Sequence, residues 1–177
     1  MTVTNRKLIG ALMLDEACYK DHGIFIFDLD GTIADSRHRH HFLQDVVDGV
    51  NVPKKKKDWV SFFAAQEQDV PHEAVRLLLK ALWQCGEIII ILTARPEDQR
   101  KVSEIWLNKY GVEYDALLMR PVGCREDDNT LKVRQLKKYF TEEQRARIKT
   151  IFEDRRRIVT SLRAEGYHVC HVDEGDF

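Results

Sequence analysis

The strongest pattern in the chain is the segment Ile24-Phe25-Ile26-Phe27-Asp28-Leu29-Asp30-Gly31-Thr32. Its leading residues form a continuous apolar run, which is typical of a strand buried on both faces of a parallel sheet. Asp28 and Asp30 follow, and carboxylates two residues apart in an extended segment point to the same side. Such charges repel unless a cation neutralises them or one stays protonated, and their oxygens suit Mg²⁺. The motif therefore predicts a magnesium site at a strand end, against the alternative of a solvated turn or a structural ion site.

Strands and helices alternate along the rest of the chain. A second apolar run covers 87–92, and weaker runs follow at 115–119, 148–152 and 167–172. Four groups of residues with helical spacing, all apolar except Lys109, separate these runs: Val75, Leu78, Leu79 and Leu82; Val102, Ile105, Trp106 and Lys109; Val133, Leu136 and Phe140; Ile158, Val159 and Leu162. Thr141 and Gln144 form a capping-box pattern that predicts the start of a short helix. The alternation predicts a parallel α/β sheet that binds its ligand beyond the carboxyl ends of the strands.

Length and composition favour one globular domain over all 177 residues. Residues 36–70 are polar and break the strand–helix rhythm, so we expect a small cap insertion there. The formal net charge of −1 excludes a strongly basic nucleic-acid coat protein. The four cysteines include no C-x-x-C pair, which favours reduced thiols in a cytoplasmic protein over a zinc or redox site. No apolar run is long enough to span a membrane and the first residues lack a leader pattern, so we expect neither membrane insertion nor export.

Polar side chains follow the later strands as well. Thr93 ends the second run, where its hydroxyl can bind a phosphate oxygen or cap the next helix. Lys132 opens the helix after the third run, where a cation can offset transition-state charge, although a lone lysine is usually solvated. Glu153 and Asp154 follow the fourth run and can share a metal ion with the first acidic pair. Because the carboxyl ends of parallel strands meet at one edge, we expect these side chains to converge.

This order of motifs is Asp-x-Asp, then Thr, then Lys, then an acidic pair, each just past its strand. It resembles the haloacid dehalogenase superfamily of phosphotransferases from about residue 25 to the end of the chain. The resemblance implies a three-layer, Rossmann-like α/β fold with helices on both faces of the sheet and a small helical cap. It also implies that the strands lie in the order third, second, first, fourth, fifth, which places Asp28 beside the point where strand order reverses.

The resemblance further implies the chemical roles of these residues. Asp28 would be the nucleophile that forms an aspartyl-phosphate, and Asp30 the general acid–base, while Thr93 and Lys132 would bind the phosphoryl group. An acid must be protonated in the first step, and we expect the neighbouring phosphate to raise the pKa of Asp30. The implied Mg²⁺ ligands are the Asp28 carboxylate, the Asp30 main-chain carbonyl, and the pair Glu153 and Asp154, with Asp154 favoured.

Within the superfamily, the chain is more similar to the 3′-phosphatase domain of bacteriophage-type polynucleotide kinase/phosphatase. The matching segments are 90–95 (Ile-Ile-Leu-Thr-Ala-Arg), 106–107 (Trp-Leu), 114–120 (Tyr-Asp-Ala-Leu-Leu-Met-Arg) and 174–177 (Glu-Gly-Asp-Phe). By position, the resemblance implies that Arg95 contacts phosphate or substrate and that Asp128 is an acid needed for activity. Glu153 stands where an aspartate is more typical. The chain has no G-x-x-x-x-G-K-[ST] loop, so we expect no kinase half, and a separate kinase or ligase is a candidate partner.

The predicted cap contains lysines at 54–57, followed by three aromatic residues, Trp59, Phe62 and Phe63. Cations beside aromatic rings can grip a single nucleic-acid strand. For the aromatic residues, inward packing in a cap helix after a solvated loop is the favoured alternative, and for the lysines both interpretations stay open. Arg37 and Arg39 are candidates for contact with a substrate phosphate. We expect no metal site in the histidine-rich stretch around them, and a solvated surface at 155–157.

Three functional hypotheses follow. The leading one is a Mg²⁺-dependent phosphomonoesterase that removes 3′-phosphate from DNA or RNA ends, with 3′-nucleotides as further candidate substrates. The second is a 5′-nucleotidase or small-metabolite phosphatase of the same superfamily. The third is a nucleic-acid end-binding module without catalysis, which the intact Asp28 and Asp30 disfavour.

Overall fold

The computed structural model describes residues 22–173 of the chain. Its strands in this part are β1 (Ile24–Phe27), β2 (Ala34–Asp35), β3 (Gln44–Val47), β4 (Val50–Pro53), β5 (Val70–Pro71), β6 (Ile88–Pro96), β7 (Ala116–Arg120), β8 (Ile148–Glu153) and β9 (Val169–His171). Its α-helices there are α1 (Trp59–Ala64), α2 (Glu73–Gln84), α3 (Arg100–Lys109), α4 (Asp128–Tyr139), α5 (Glu142–Ala146) and α6 (Arg156–Ala164). Short 3₁₀ helices cover Arg37–Phe42, Gln66–Gln68 and Glu97–Gln99.

Five of these strands form the central sheet, in the order β7-β6-β1-β8-β9. All four neighbouring pairs are parallel. This is the predicted order of third, second, first, fourth and fifth strand, so that prediction is confirmed. Strand β1 lies in the middle, and the chain moves outward from it in one direction and then in the other. The point where strand order reverses is therefore at the carboxyl end of β1.

Both faces of the sheet are covered, which makes three layers. Successive side chains of a strand point to opposite faces, and β1 obeys this rule. Ile26 packs in one buried cluster with Leu136 of α4 and Ile158 of α6. Phe27 packs in a second buried cluster with Leu79 of α2 and Trp106 of α3. The predicted fold class, a parallel sheet with helices on both faces, is therefore confirmed.

The segment between β1 and α2 leaves and re-enters the sheet domain through the short antiparallel pair β2–β5. It contains α1 and two 3₁₀ helices, and also an antiparallel hairpin, β3–β4, that was not predicted. The hairpin turns at Asp48 and Gly49, which have φ angles of 51° and 77°. Positive φ at both central residues is what a tight hairpin of right-handed twist requires, and Asp-Gly is a preferred sequence for it.

The predicted capping box and the predicted lack of a membrane span can also be compared with the structure. Thr141 and Gln144 make both bonds of a capping box, and α5 follows as predicted. Among the described residues, no helix combines the length and the apolar character needed to cross a membrane.

Candidate active site

A buried lysine links two strand ends at the carboxyl edge of the sheet. Asp28 follows β1, and Glu153 ends the neighbouring strand β8. The Nζ atom of Lys132 lies 2.5 Å from Asp28 Oδ1 and 2.5 Å from Glu153 Oε2. Burial disfavours the ammonium group, but the two carboxylates outweigh burial and raise the pKa of Lys132. Lys132 lies in the second turn of α4 rather than at its start, since the helix begins four residues earlier, at Asp128.

Three buried carboxylates, those of Asp28, Glu153 and Asp154, form a candidate metal site. Each offers an oxygen atom, and these atoms lie within 4.8 Å of one another. Neither oxygen of Asp154 receives a hydrogen bond from the described residues, although both are buried. Burial, followed by the charges of Asp28 and Glu153, raises the pKa of Asp154 to about 9. Burial also raises the pKa of Asp28 to about 7, against the opposing charge of Lys132.

These properties fit a hard divalent cation. A buried carboxylate without a donor is costly, and an ion held by oxygen ligands removes that cost. Glu153 already accepts Lys132 and the backbone N–H of Arg155, so Asp154 has more coordination capacity left for a metal. Gly31 has φ +86°, and a Cβ atom built there would overlap the Asp154 carboxylate. The residue after Asp30 therefore has to be glycine both for the turn and for the approach of Asp154.

Asp30 is held by two arginines. Arg95 donates from Nε to Asp30 Oδ2 at 2.9 Å and from Nη2 to Oδ1 at 2.5 Å, and Arg39 Nη2 also donates to Oδ1. Burial opposes ionisation of this carboxyl, but Arg95 and Arg39 outweigh burial and lower the pKa of Asp30. The expectation of a raised pKa is therefore not met in the protein alone. A bound phosphate would have to act against both arginines.

Asp69 completes this cluster and was not predicted from the sequence. Its buried carboxylate accepts Arg39 Nε at 2.8 Å and Arg95 Nη2 at 3.1 Å, and it is 2.8 Å from His38 Nε2. Two carboxylates and two guanidinium groups thus balance one another inside the protein. Asp69 lies 30 residues from Arg39 and 26 from Arg95. No local motif indicates this contact.

Asp128 gathers a second set of arginines. Its Oδ2 atom lies 2.5 Å from Arg155 Nη1 and 3.4 Å from Arg157 Nη2, while Arg120 pairs with Oδ1. Arg155 is buried, so the expectation of a solvated surface is wrong at that residue. It holds for Arg157, whose side chain is 54% exposed. Asp128 therefore holds the buried Arg155, whose charge acts on Asp28, and is itself paired with arginines.

The remaining predicted residues lie in different surroundings. Thr93 is buried at the site, where its Oγ1 accepts the backbone N–H of Arg95 at 3.1 Å. Arg39 is turned inward onto Asp30 and Asp69, so it orients an acid instead of presenting a free guanidinium to substrate. The Arg37 side chain is 71% exposed and pairs with Asp35. Arg37 is not brought to the site.

A cavity of about 500 Å³ opens above these residues. Asp28, Asp30 and Thr93 line it, together with residues 124–128 from the loop before α4 and the first residue of that helix. Four residues of the predicted cap also line it, namely Lys57, Trp59, Phe62 and Phe63. Phe62 is buried, whereas Trp59 is 42% exposed. One ring of the cap therefore packs inward, as one reading expected, while another remains accessible, and a grip on nucleic acid stays a prediction.

Comparisons with known proteins agree with this architecture. Residues 47–177 match the family described as polynucleotide kinase PNKP phosphatase domain. Two solved structures, titled "Structure of the Pnkp1/Rnl/Hen1 RNA repair complex" and "Structure of Pnkp1/Rnl/Hen1 complex", share 26% and 25% identity, with TM-scores of 0.68 and 0.67. This chain is covered to 88% and 89%, but spans only 44% and 48% of those chains. A putative phosphatase from Clostridium difficile has 15% identity and a TM-score of 0.57 over 84% of this chain and 83% of its own.

No curated protein sequence matches the chain significantly. The family match begins after Asp28 and Asp30. In the structure, Asp28 contacts Lys132 and Asp30 contacts Arg95, and both partners lie in the matched part. The segment 174–177, which carries part of the resemblance, lies outside the described residues. The family match covers well over half of the chain, and the sheet order is the one expected for the superfamily. The chain therefore belongs to the PNKP phosphatase domain family of haloacid dehalogenase-type phosphatases.

Proposed function

We propose that this chain is a Mg²⁺-dependent polynucleotide 3′-phosphatase that forms an aspartyl-phosphate on Asp28. The observation that carries the proposal is the pairing of Asp28 with a buried Lys132, within 4.8 Å of an Asp154 carboxylate that lacks a donor. A nucleophile, a cation and a metal ligand thus lie together at the carboxyl edge of the sheet. Phosphoryl transfer needs this combination of positioning and charge more than it needs covalent machinery.

The first step transfers the phosphoryl group to the protein. A carboxylate oxygen of Asp28 attacks phosphorus, the bond to the 3′-oxygen breaks, and Asp30 gives that oxygen a proton. Asp30 has to carry a proton at this point. The dianionic phosphate favours protonation, whereas Arg39 and Arg95 oppose it, so their contacts set how readily Asp30 acts as an acid.

The second step releases phosphate. Asp30, now ionised, takes a proton from water, the water oxygen attacks the phosphorus of the aspartyl-phosphate, and the bond from phosphorus to the Asp28 oxygen breaks, which restores the Asp28 carboxylate. Lys132 and the Thr93 hydroxyl bind the oxygens of the phosphoryl group in both steps. The pair Asp28 and Asp154, with the Asp30 main-chain carbonyl, would hold Mg²⁺, which supplies positive charge to the phosphate oxygens when bound.

Three features favour a polynucleotide end over a small metabolite. The family match is to the phosphatase domain of a polynucleotide kinase. The cavity is much larger than a phosphate group, and an exposed indole ring and several cations line it. We further propose that residues 36–70 act as the cap. The two neighbours with Pnkp1 in their titles are complexes with Rnl and Hen1, which makes a separate repair enzyme a candidate partner.

A substrate panel tests the proposal. Purified protein with Mg²⁺ is given 3′-phosphorylated DNA, 3′-phosphorylated RNA, 3′-mononucleotides, 5′-mononucleotides and p-nitrophenyl phosphate, and released phosphate is measured. We expect 3′-phosphorylated oligonucleotides to give the highest kcat/KM, and the isosteric Asp28→Asn variant to be inactive on all of them. A preference for 5′-mononucleotides would move the assignment to a nucleotidase. Binding of oligonucleotides without phosphate release would move it to an end-binding module.

A further inference from the structure

Part of the cavity lining has no role in the proposed phosphate transfer, which uses Asp28, Asp30, Thr93, Lys132 and Asp154. Lys57, Trp59, Phe62 and Phe63 of the proposed cap, residues 36–70, line the same cavity as Asp28 and Asp30. These cap residues are therefore candidates for contact with the part of the substrate beyond the phosphate.

The Trp59 ring is fixed by its neighbours. It stacks on Phe63 with ring centroids 5.9 Å apart and planes 22° from parallel. It meets the edge of Phe62 at 5.7 Å and 85°, and Phe62 is itself buried under the guanidinium of Arg39 at 4.0 Å. Such offset and edge-on contacts are favourable and leave an aromatic side chain little freedom. An indole that lines the cavity, is 42% exposed and is held by aromatic neighbours offers a surface on which a flat ring can stack.

Two cations, Lys57 and Arg157, line the same cavity as this ring. Lys57 Nζ lies over the Trp59 ring, 5.4 Å from its centroid. Burial, followed by the charges of Arg157 and Arg155, lowers the pKa of Lys57. A lysine of the proposed cap and arginines at the start of α6 are therefore close enough for their charges to interact. Among the described residues, no carboxylate lies within salt-bridge distance of Lys57, and Arg157 reaches Asp128 only at 3.4 Å. Asp128 partly offsets the charges of both cations, and the positive charge that remains favours an anionic ligand.

We infer that Trp59 stacks the terminal base of a single-stranded 3′-phosphorylated end, and that Lys57 and Arg157 contact the preceding phosphodiester. This inference rests on the proposed function and adds a substrate-length and strand preference to it. Stacking tolerates every base, because each has a flat face, so the site selects for a strand end and not for a sequence. The minimal good substrate is then a dinucleotide with a 3′-phosphate, since a 3′-mononucleotide lacks the second phosphate.

The test compares four substrates in Mg²⁺: a single-stranded decathymidylate 3′-phosphate, the same strand with an abasic residue at its 3′ end, thymidine 3′-phosphate, and p-nitrophenyl phosphate. We expect Trp59→Ala to lower kcat/KM for the intact strand about 5- to 100-fold, the range of one stacked base, and Trp59→Phe to restore most of it. Both variants should cleave p-nitrophenyl phosphate and the abasic strand as wild type does. The matched control is Val60→Ala, because Val60 is the next residue and is 83% exposed outside the cavity lining.

The cations are tested in the same way. Lys57→Gln and Arg157→Gln should weaken the intact and the abasic strand equally and reduce the dependence of KM on salt, while leaving thymidine 3′-phosphate unaffected. The control is Lys56→Gln, since Lys56 is exposed and does not line the cavity.

The possible failures are distinct. If wild-type protein cleaves p-nitrophenyl phosphate but no 3′-phosphorylated strand, the proposed function falls and this inference falls with it. If wild type cleaves the strand but Trp59→Ala reduces all four substrates alike, or the abasic strand is cleaved as well as the intact one, only the stacking surface is overturned. Thymidine 3′-phosphate cleaved as efficiently as the decamer would remove the phosphodiester contact.

Discussion

At the scale of single residues, sequence reasoning succeeds where a motif carries its own geometry. Asp28 and Asp30 could be placed because two residues of extended chain fix their separation. Arg39 and Asp69 could not be placed in this way, since burial and pairing with residues far along the chain determine their contacts. Arg39 was expected to meet substrate, and only the fold reveals that Asp69 draws it inward.

Asp69 gives a stability prediction at this scale. The cluster of Asp30, Asp69, Arg39 and Arg95 holds two charges of each sign, and Asp69→Asn would leave a buried positive charge uncompensated. Breaking a buried pair in this way costs about 3 to 5 kcal/mol. Denaturant unfolding should show a loss of that size in the free energy of unfolding.

The control for Asp69 is Asp35→Asn. Asp35 pairs with the 71% exposed side chain of Arg37, and an ion pair at the surface contributes less than about 1 kcal/mol. Equal losses in the two variants would contradict the view that Asp69 balances buried charge.

Gly31→Ala is a second test at the scale of single residues, and Gly49→Ala is its control. Gly31 and Gly49 both have positive φ, at +86° and +77°, so alanine should strain either turn by about 1 to 2 kcal/mol. A Cβ atom at Gly49 meets nothing within 4 Å, whereas at Gly31 it overlaps the Asp154 carboxylate. We expect Gly31→Ala alone to raise the Mg²⁺ concentration needed for half-maximal activity. If Gly49→Ala raised it equally, backbone strain and not the position of Asp154 would be the cause.

At the scale of elements, continuous apolar runs identified the central strands because both faces of a parallel sheet are buried. The hairpin β3–β4 escaped prediction because its strands are not buried. Val46, Val47 and Val50 are more than half exposed, so no alternation of apolar and polar residues marks them. The sequence Asp48-Gly49 is typical of a hairpin turn, but it predicts a hairpin only where the flanking residues already show a strand pattern.

Helix α4 carries one lysine at the candidate active site and another at the protein surface. Lys132 faces the site with 1% of its side chain exposed, whereas Lys137 is 54% exposed and pairs with Glu165. We expect Lys132→Met to lower kcat about 10²- to 10³-fold, the cost of removing one group that stabilises developing charge. Lys137→Met should leave kcat within about twofold, because surface pairs contribute little. Steady-state kinetics on p-nitrophenyl phosphate decide this, and near-normal turnover by Lys132→Met would remove the lysine from phosphate binding.

At the scale of the whole molecule, metal binding should be visible as stability. The three carboxylates of Asp28, Glu153 and Asp154 come from the ends of two neighbouring strands, β1 and β8, so an ion among them links these strands only when the chain is folded. A ligand that binds the folded state alone, at about 100 times its Kd, adds about 2.7 kcal/mol. For a chain of this size, that corresponds to a rise in Tm of about 5 to 10 °C.

Asp154→Asn separates this effect from general ionic stabilisation. Both oxygens of Asp154 are buried without a donor, so without metal the uncharged asparagine should be tolerated at least as well as the carboxylate. We therefore expect Asp154→Asn to have a Tm no lower than wild type in EDTA, but to show little rise on addition of Mg²⁺. Potassium chloride at equal ionic strength should shift neither protein by the same amount as Mg²⁺ shifts wild type. A Mg²⁺-induced rise of equal size in both proteins would show that the ion stabilises the fold from a site other than the carboxyl edge of the sheet.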